Sequence, residues 1–148
     1  MSQLFQTSDS IAALCARLTV AIVLFPHGAQ KLLGWWGGFG YTNTMNYFTQ
    51  TSHLPYLIGL LVILIEFFCP LLLLIGYATR LSALAIVFVM AGIIITVQKD
   101  YFFMNWYGSQ KGEGMEYFIL MIGLCIAIIF IGGGKYSIEG LISPKISG

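Results

Sequence analysis

Charged side chains are scarce in this chain: seven Lys and Arg and six Asp and Glu among 148 residues, or 9%. Water-soluble domains carry roughly 25% charge, so these few groups cannot coat a soluble globule. Cysteine is also sparse. Cys15, Cys69 and Cys125 are an odd number, far apart and without a CxxC pair, which indicates neither a disulfide framework nor a zinc knuckle. A formal net charge of +1 with no basic run argues against nucleic acid as a partner. Only two histidines occur, His27 and His53, and they are not spaced as metal ligands on one helix, so no metal site is expected. What the chain has in abundance is apolar surface. Hydrophobic residues make up 58%, aromatics 15%, and mean hydropathy is +0.86, values that place a single domain in lipid and exclude disorder.

A bilayer core about 30 Å thick takes roughly 20 apolar residues of helix. Four segments meet that demand: about Ile11 to Leu33, about Leu54 to Tyr77, about Leu81 to Gln98, and about Met115 to Ile131. Lipid offers no partners to free backbone groups, so the segments must be helices or a closed barrel. Continuous apolar runs favour helices over the alternation of barrel strands. The expected fold is an all-α integral membrane protein, a four-transmembrane-helix bundle forming one domain over 1–148.

The connections differ in character. Gly76 to Arg80 is a tight hairpin, making the second and third spans antiparallel neighbours. Between Gly34 and His53, Tyr41, Met45 and Phe48 recur at helical spacing, which predicts a short interfacial helix in the first loop. The third loop, Lys99 to Gly114, is rich in aromatics such as Phe103 and Trp106 that favour the headgroup zone. With four spans both long loops lie on one side, where they should form an aromatic cap. Arg17, Arg80, Lys135 and Lys145 on one side outnumber Lys31, Lys99 and Lys111 on the other, which puts both termini in the cytoplasm. Met1 to Ser10 has no basic region, and removal as a signal peptide is not expected.

Ionised groups at membrane depth are costly, and each needs a partner. Arg17, Leu24, Gly28 and Lys31 share a stripe of the first span; Gly59, Glu66, Pro70 and Leu73 share one on the second. Ala85, Gly92, Thr96 and Lys99 on the third, and Glu116, Gly123 and Ala127 on the fourth, are expected to turn inward because small residues permit close approach. At about 1.5 Å of rise per residue, Arg17 lies roughly 9 Å in from one end and Glu66 roughly 16–18 Å from either. An Arg17–Glu66 ion pair is therefore expected, either as a packing device or with Glu66 as a protonatable group. His27, Gln30, Lys31 and Glu116 collect near the loop-capped end, where Pro26 removes a backbone hydrogen bond. Together with Trp106 they are candidates for binding a polar head such as a quinone carbonyl. Their alternative is structural: Lys31 snorkels, and Glu116 opens a helix at its positive end.

Several short motifs occur in a characteristic order: Arg17, His27-Gly28-Ala29-Gln30-Lys31, Glu66, Gly76-Tyr77-Ala78-Thr79-Arg80, Gly112-Glu113-Gly114-Met115-Glu116, and Gly134-Lys135-Tyr136-Ser137-Ile138. The chain resembles the DoxX family over about residues 11 to 139, with Glu139 standing where that family usually carries Asp. The resemblance implies a small, multi-pass protein of the bacterial inner membrane, and it marks Arg80 along with the residues above as important. It also implies a quinone-linked redox component, or an accessory subunit working with a membrane or soluble redox enzyme, and a quinone as the ligand. Two other functions fit the residues: a non-enzymatic scaffold or assembly partner, and a small-solute transporter, which with four short helices would need to be a homo-oligomer. No haem-ligand pair, nucleotide loop or iron–sulfur cysteine set is present, so electrons would have to come from a bound quinone or a partner.

Overall fold

The computed structural model describes residues 9–142. Most of the Met1–Ser10 segment, and Lys145, lie outside the described residues. Six α-helices follow in order: α1 (Ile11–Leu33), α2 (Gly40–Asn46), α3 (Tyr56–Ile75), α4 (Thr79–Thr96), α5 (Glu116–Ile131) and α6 (Ile138–Ile142). Three of them, α1, α3 and α4, are long and apolar enough to cross a membrane, while α5 is apolar but shorter, at 16 residues. Large apolar side chains such as Ile22, Phe88, Leu120 and Phe130 are exposed on the outer faces. That distribution suits lipid contact, and the chain is a multi-pass membrane protein.

The helix ends have local causes. The Ser10 hydroxyl accepts from the Ala13 amide at 3.2 Å and opens α1. Gly34 closes it in the left-handed region, at φ +74°. Gly76, at φ +68°, ends α3, and the Tyr77 amide donates back to the Leu72 carbonyl at 3.0 Å. The expected hairpin between the second and third spans thus begins at this glycine. The expected short helix in the first loop is also present, as α2 followed by a π-turn over Tyr47–Thr51. Its Met45 and Phe48 side chains lie over Gly59, where a Cβ would come within 3.1–3.3 Å of them.

Residues Val20, Leu24, Leu73, Ile86, Met90 and Ile128 form the core, drawn from all four long helices. The small-residue stripes of α1 and α3 face inward as expected, but those of α4 and α5 do not pack. On α4 the buried face is Ser82, Ala83, Ile86, Val89 and Met90, and on α5 it is Met121, Cys125 and Ile128. A Cβ added at Gly92 or Gly123 would meet nothing within 4 Å. Among the glycines inside the four long helices, the tightest approach is at the α1–α3 crossing. There a Cβ on Gly28 would sit 2.2 Å from the Glu66 carbonyl oxygen. Pro70, one turn on from Glu66, has no N–H to give that oxygen, and the bare backbone of Gly28 covers it instead. Pro26 lies within an uninterrupted α1.

The antiparallel register set by Gly28 against Glu66 places Arg17, three turns earlier on α1, beside the end of α3. Arg17 is 1% exposed. Its guanidinium donates to five backbone carbonyls: Leu73 and Leu74 at 2.7 Å, Gly133 and Tyr136 at 2.8 Å, and Lys135 at 3.2 Å. The Leu73 and Leu74 carbonyls lie in the last turn of α3, at the negative end of its dipole, and those of Gly133, Lys135 and Tyr136 lie in the turn that follows α5. The expected Arg17–Glu66 ion pair therefore does not form. Depth estimates put the two groups within reach, but the register separates them by about three helical turns, and the guanidinium takes the nearer carbonyls.

Glu139, fully buried in the same region, caps α4. Its carboxylate accepts from the Thr79 amide at 2.7 Å and the Thr79 hydroxyl at 2.6 Å. Arg80 donates to the Ile129 and Phe130 carbonyls at the end of α5. Replacing Arg17 with Leu strands several buried acceptors, each costing about 1–3 kcal/mol. Thermal or denaturant unfolding in detergent should show R17L destabilised by more than about 3 kcal/mol. R17K, which keeps the charge but not the planar fork, should recover only part of that. A wild-type melting profile for R17L would show that the carbonyl cluster does not hold the bundle.

Candidate functional site

At the opposite end, α3 and α4 diverge from their shared hairpin, and both long loops fold over the space between them. The loops are tied in place by specific contacts. Tyr41 and Tyr56 share a hydrogen bond at 2.6 Å between their hydroxyls, which holds the exposed Tyr41 phenol above its ordinary pKa. In the third loop, the Met115 and Glu116 amides donate to the Tyr101 and Phe102 carbonyls at 3.1 and 3.0 Å. Gly114 permits that return, since a Cβ there would lie 2.1 Å from the Phe103 carbonyl oxygen. The Glu116 carboxylate accepts from the Met104 amide at 2.9 Å and the Trp106 indole at 3.1 Å. The aromatic cap expected from both loops forms only in part: Tyr47 and Phe48 from the first loop line the cavity, but the third loop contributes Met104, while its Phe103 and Trp106 are exposed and stand outside the lining.

That cavity encloses about 640 Å³, within the range of small-molecule sites. Its wall is largely apolar and comes mainly from α3 and α4. Ser52, Thr96, Gln98 and Glu113 add polar groups to its lining, and one pair of charges lies at its α1–α3 side. Lys31 on α1 forms an ion pair with Glu66 on α3, and Glu66 is 1% exposed. Gly28 explains the pairing: it brings the two backbones together at Glu66, so the lysine one turn further along α1 reaches back to the carboxylate. His27 stands exposed on the same wall, with its ring centroid 6.4 Å from that of Tyr117. The Tyr117 hydroxyl is buried and has no hydrogen-bond partner among the described residues.

The residues singled out in the sequence thus divide. His27, Lys31 and Glu66 come together on the cavity. Gln30, Trp106 and Glu116 are not among its lining residues: Gln30 packs its backbone against Gly38, and Trp106 is 78% exposed and joined to Glu116, which pins the third loop. Tyr117 was missed. Its signal lay in the spacing of Tyr117, Met121, Cys125 and Ile128, which is one helical stripe, whereas the small residues Gly123 and Ala127 suggested another. Among the described residues no three His, Cys, Asp or Glu side chains gather as metal ligands.

A family model for DoxX matches residues 12–99. The chain belongs to the DoxX family. No curated protein and no solved structure matches it. The matched stretch of this DoxX protein contains the arginine that gathers carbonyls and the cavity residues His27, Lys31 and Glu66, but stops short of Glu113 and Tyr117, which also line the cavity, and of Glu116. Within it, Gly76 to Arg80 serves the helix ends, whereas His27 to Lys31 serves the cavity.

The ion pair can be tested by compensation. Lys31→Met alone leaves a buried carboxylate without its partner and should cost about 3–5 kcal/mol in detergent unfolding. The double variant K31M/E66L should lie much closer to wild type. Equal losses for single and double variants would show that the two groups do not interact energetically.

Proposed function

We propose that this protein is a quinone-linked accessory component of a bacterial inner-membrane oxidoreductase system, with four spans and both termini cytoplasmic. One observation supports the reading above the others: a largely apolar cavity that holds the Lys31–Glu66 ion pair, His27 and a buried, unpartnered Tyr117 hydroxyl. Quinones have that division, a polar ring bearing two carbonyls and an apolar chain. The residues present fit such a group. The unpartnered Tyr117 hydroxyl is a donor for a carbonyl, and Lys31 supplies a further N–H donor beside it. His27 and Glu66 are groups that exchange protons at the same wall. A bound quinone supplies two-electron, two-proton redox chemistry, and the protein's part is to hold the ring, shield it from water and pass protons at His27. A partner enzyme then provides the other redox centre, since this sequence carries no second one.

The fourth span in this reading is α5. Sixteen residues rise about 24 Å, somewhat less than the roughly 30 Å hydrocarbon core, and helix packing against α4 and α1 places it inside the same bundle. The orientation rests on the balance of Lys and Arg between the two sides.

Protein purified from its native membrane with lipids retained should yield quinone on organic extraction. His27→Ala should lower the amount retained and slow quinone-dependent respiration. Extracts free of quinone, together with unchanged respiration in the His27→Ala strain, would remove this reading.

A further inference from the structure

The cavity is not closed on all sides, and where it opens bears on how it is filled. Helices α3 and α4 are joined by a turn of three residues at Gly76 to Ala78. At that end they are held together through Arg17 and Glu139. At the other end their halves line opposite parts of the cavity: Leu61 and Ile65 from α3, Phe88, Gly92 and Ile93 from α4. Some of these residues belong both to the cavity wall and to the outer surface. Leu61 is 45% exposed and Phe88 is 70% exposed. Gly92, one turn from Phe88 on α4, also lines the cavity and has open space where a side chain would stand, since a Cβ there would touch nothing within 4 Å. The opening therefore lies on an apolar face, at the depth of the acyl chains. By contrast, the end facing the loops is lined by Tyr47, itself 51% exposed, with Phe48, Met104 and the polar side chains of Gln98 and Glu113.

From this geometry we infer that the cavity is filled sideways from the bilayer, through a portal between α3 and α4 at Gly92, by a lipid with an uncharged carbonyl-bearing head and a long apolar chain. This inference rests on the reading of the cavity as a quinone site and adds the route and the placement of the chain. The head sits inside, within reach of the Tyr117 hydroxyl, which donates to a carbonyl. The chain leaves past Gly92 and Phe88. Volume makes an exit necessary. A space of about 640 Å³ suits a drug-sized molecule, so a ring and the first few isoprenoid units fill it and the rest of a long chain must lie outside. Outside means lipid, because an apolar chain gains nothing by passing through the polar loops into water. An uncharged head is required because Lys31 and Glu66 already neutralise one another, and a further buried charge would be left unpaired.

The test compares two probes on the full chain in nanodiscs: a dimethoxybenzoquinone head without a chain, and long-chain ubiquinone. Gly92→Trp fills the portal and should weaken binding of the long-chain probe by about tenfold or more, while the chainless probe stays within about twofold of wild type. Gly92→Ala leaves the gap open and should change neither. Tyr117→Phe removes one donor and should weaken both probes about three- to tenfold. Helical content and melting temperature verify that each variant is folded, and Gly92→Leu replaces the tryptophan if that variant is not. Equal loss of both probes in Gly92→Trp, or loss of neither, overturns the portal while leaving the quinone reading intact. Failure of the wild-type protein to bind either probe overturns the quinone reading, and the portal's occupant with it.

Discussion

Five carbonyl oxygens converge on one buried guanidinium, and most of the architecture follows from that. Helix ends leave carbonyls without donors, and in a membrane protein no water at hydrocarbon depth can serve them. Arg17 serves the end of α3 and the turn after α5 at once, and thereby fixes α1, α3 and that turn relative to one another. Glu139 adds the opposite charge in the same region and caps the start of α4 through Thr79. Arginine suits the position because its planar fork presents five donors without depending on a single acceptor. With that end locked, the helices are free to part at the other, and the cavity lies in the space this leaves.

The two ends of the bundle thus have different work. Motifs that look equally important in the sequence serve different purposes once placed. Gly76 and Ser137 lie so close that a Cβ on the glycine would approach the serine Cβ to 2.4 Å, so the end of α3 and the start of α6 are built as one joint. Glu113 and Glu116 accept hydrogen bonds from the third loop's own backbone and hold the cap down. His27 and Lys31, with Glu66 opposite, turn their polar groups on the cavity. Ionisable side chains at membrane depth mark function by default, but here that default separates: the arginine binds helix-end and turn carbonyls, and the lysine–glutamate pair lines the cavity.

Much of the fold was legible because lipid is a demanding solvent. The bounds of α1, Ile11–Leu33, and of the shorter apolar α5 were readable almost to the residue, since apolar runs of that length have few alternatives and glycines mark where they stop. The inward stripe of α3 was legible too, because Glu66 and Pro70 among leucines tolerate only a protected face. The inward faces of α4 and α5 were not. Small residues at Gly92 and Gly123 looked like packing positions, but smallness marks a packing face only when another helix stands opposite. One of these glycines borders an opening and the other faces outward.

What the sequence determined by itself is the class of environment, the number of apolar runs and the positions at which they end, because each depends on local composition and on the cost of bare backbone in hydrocarbon. Which ionised groups meet was decided only by the tertiary structure. Charge complementarity offered Glu66 both Arg17 and Lys31, on the same stripe of the same helix. The choice was made by the contact of Gly28 with the Glu66 backbone, which sets the sliding register of two antiparallel helices, and register is a property of the pair that neither segment carries alone.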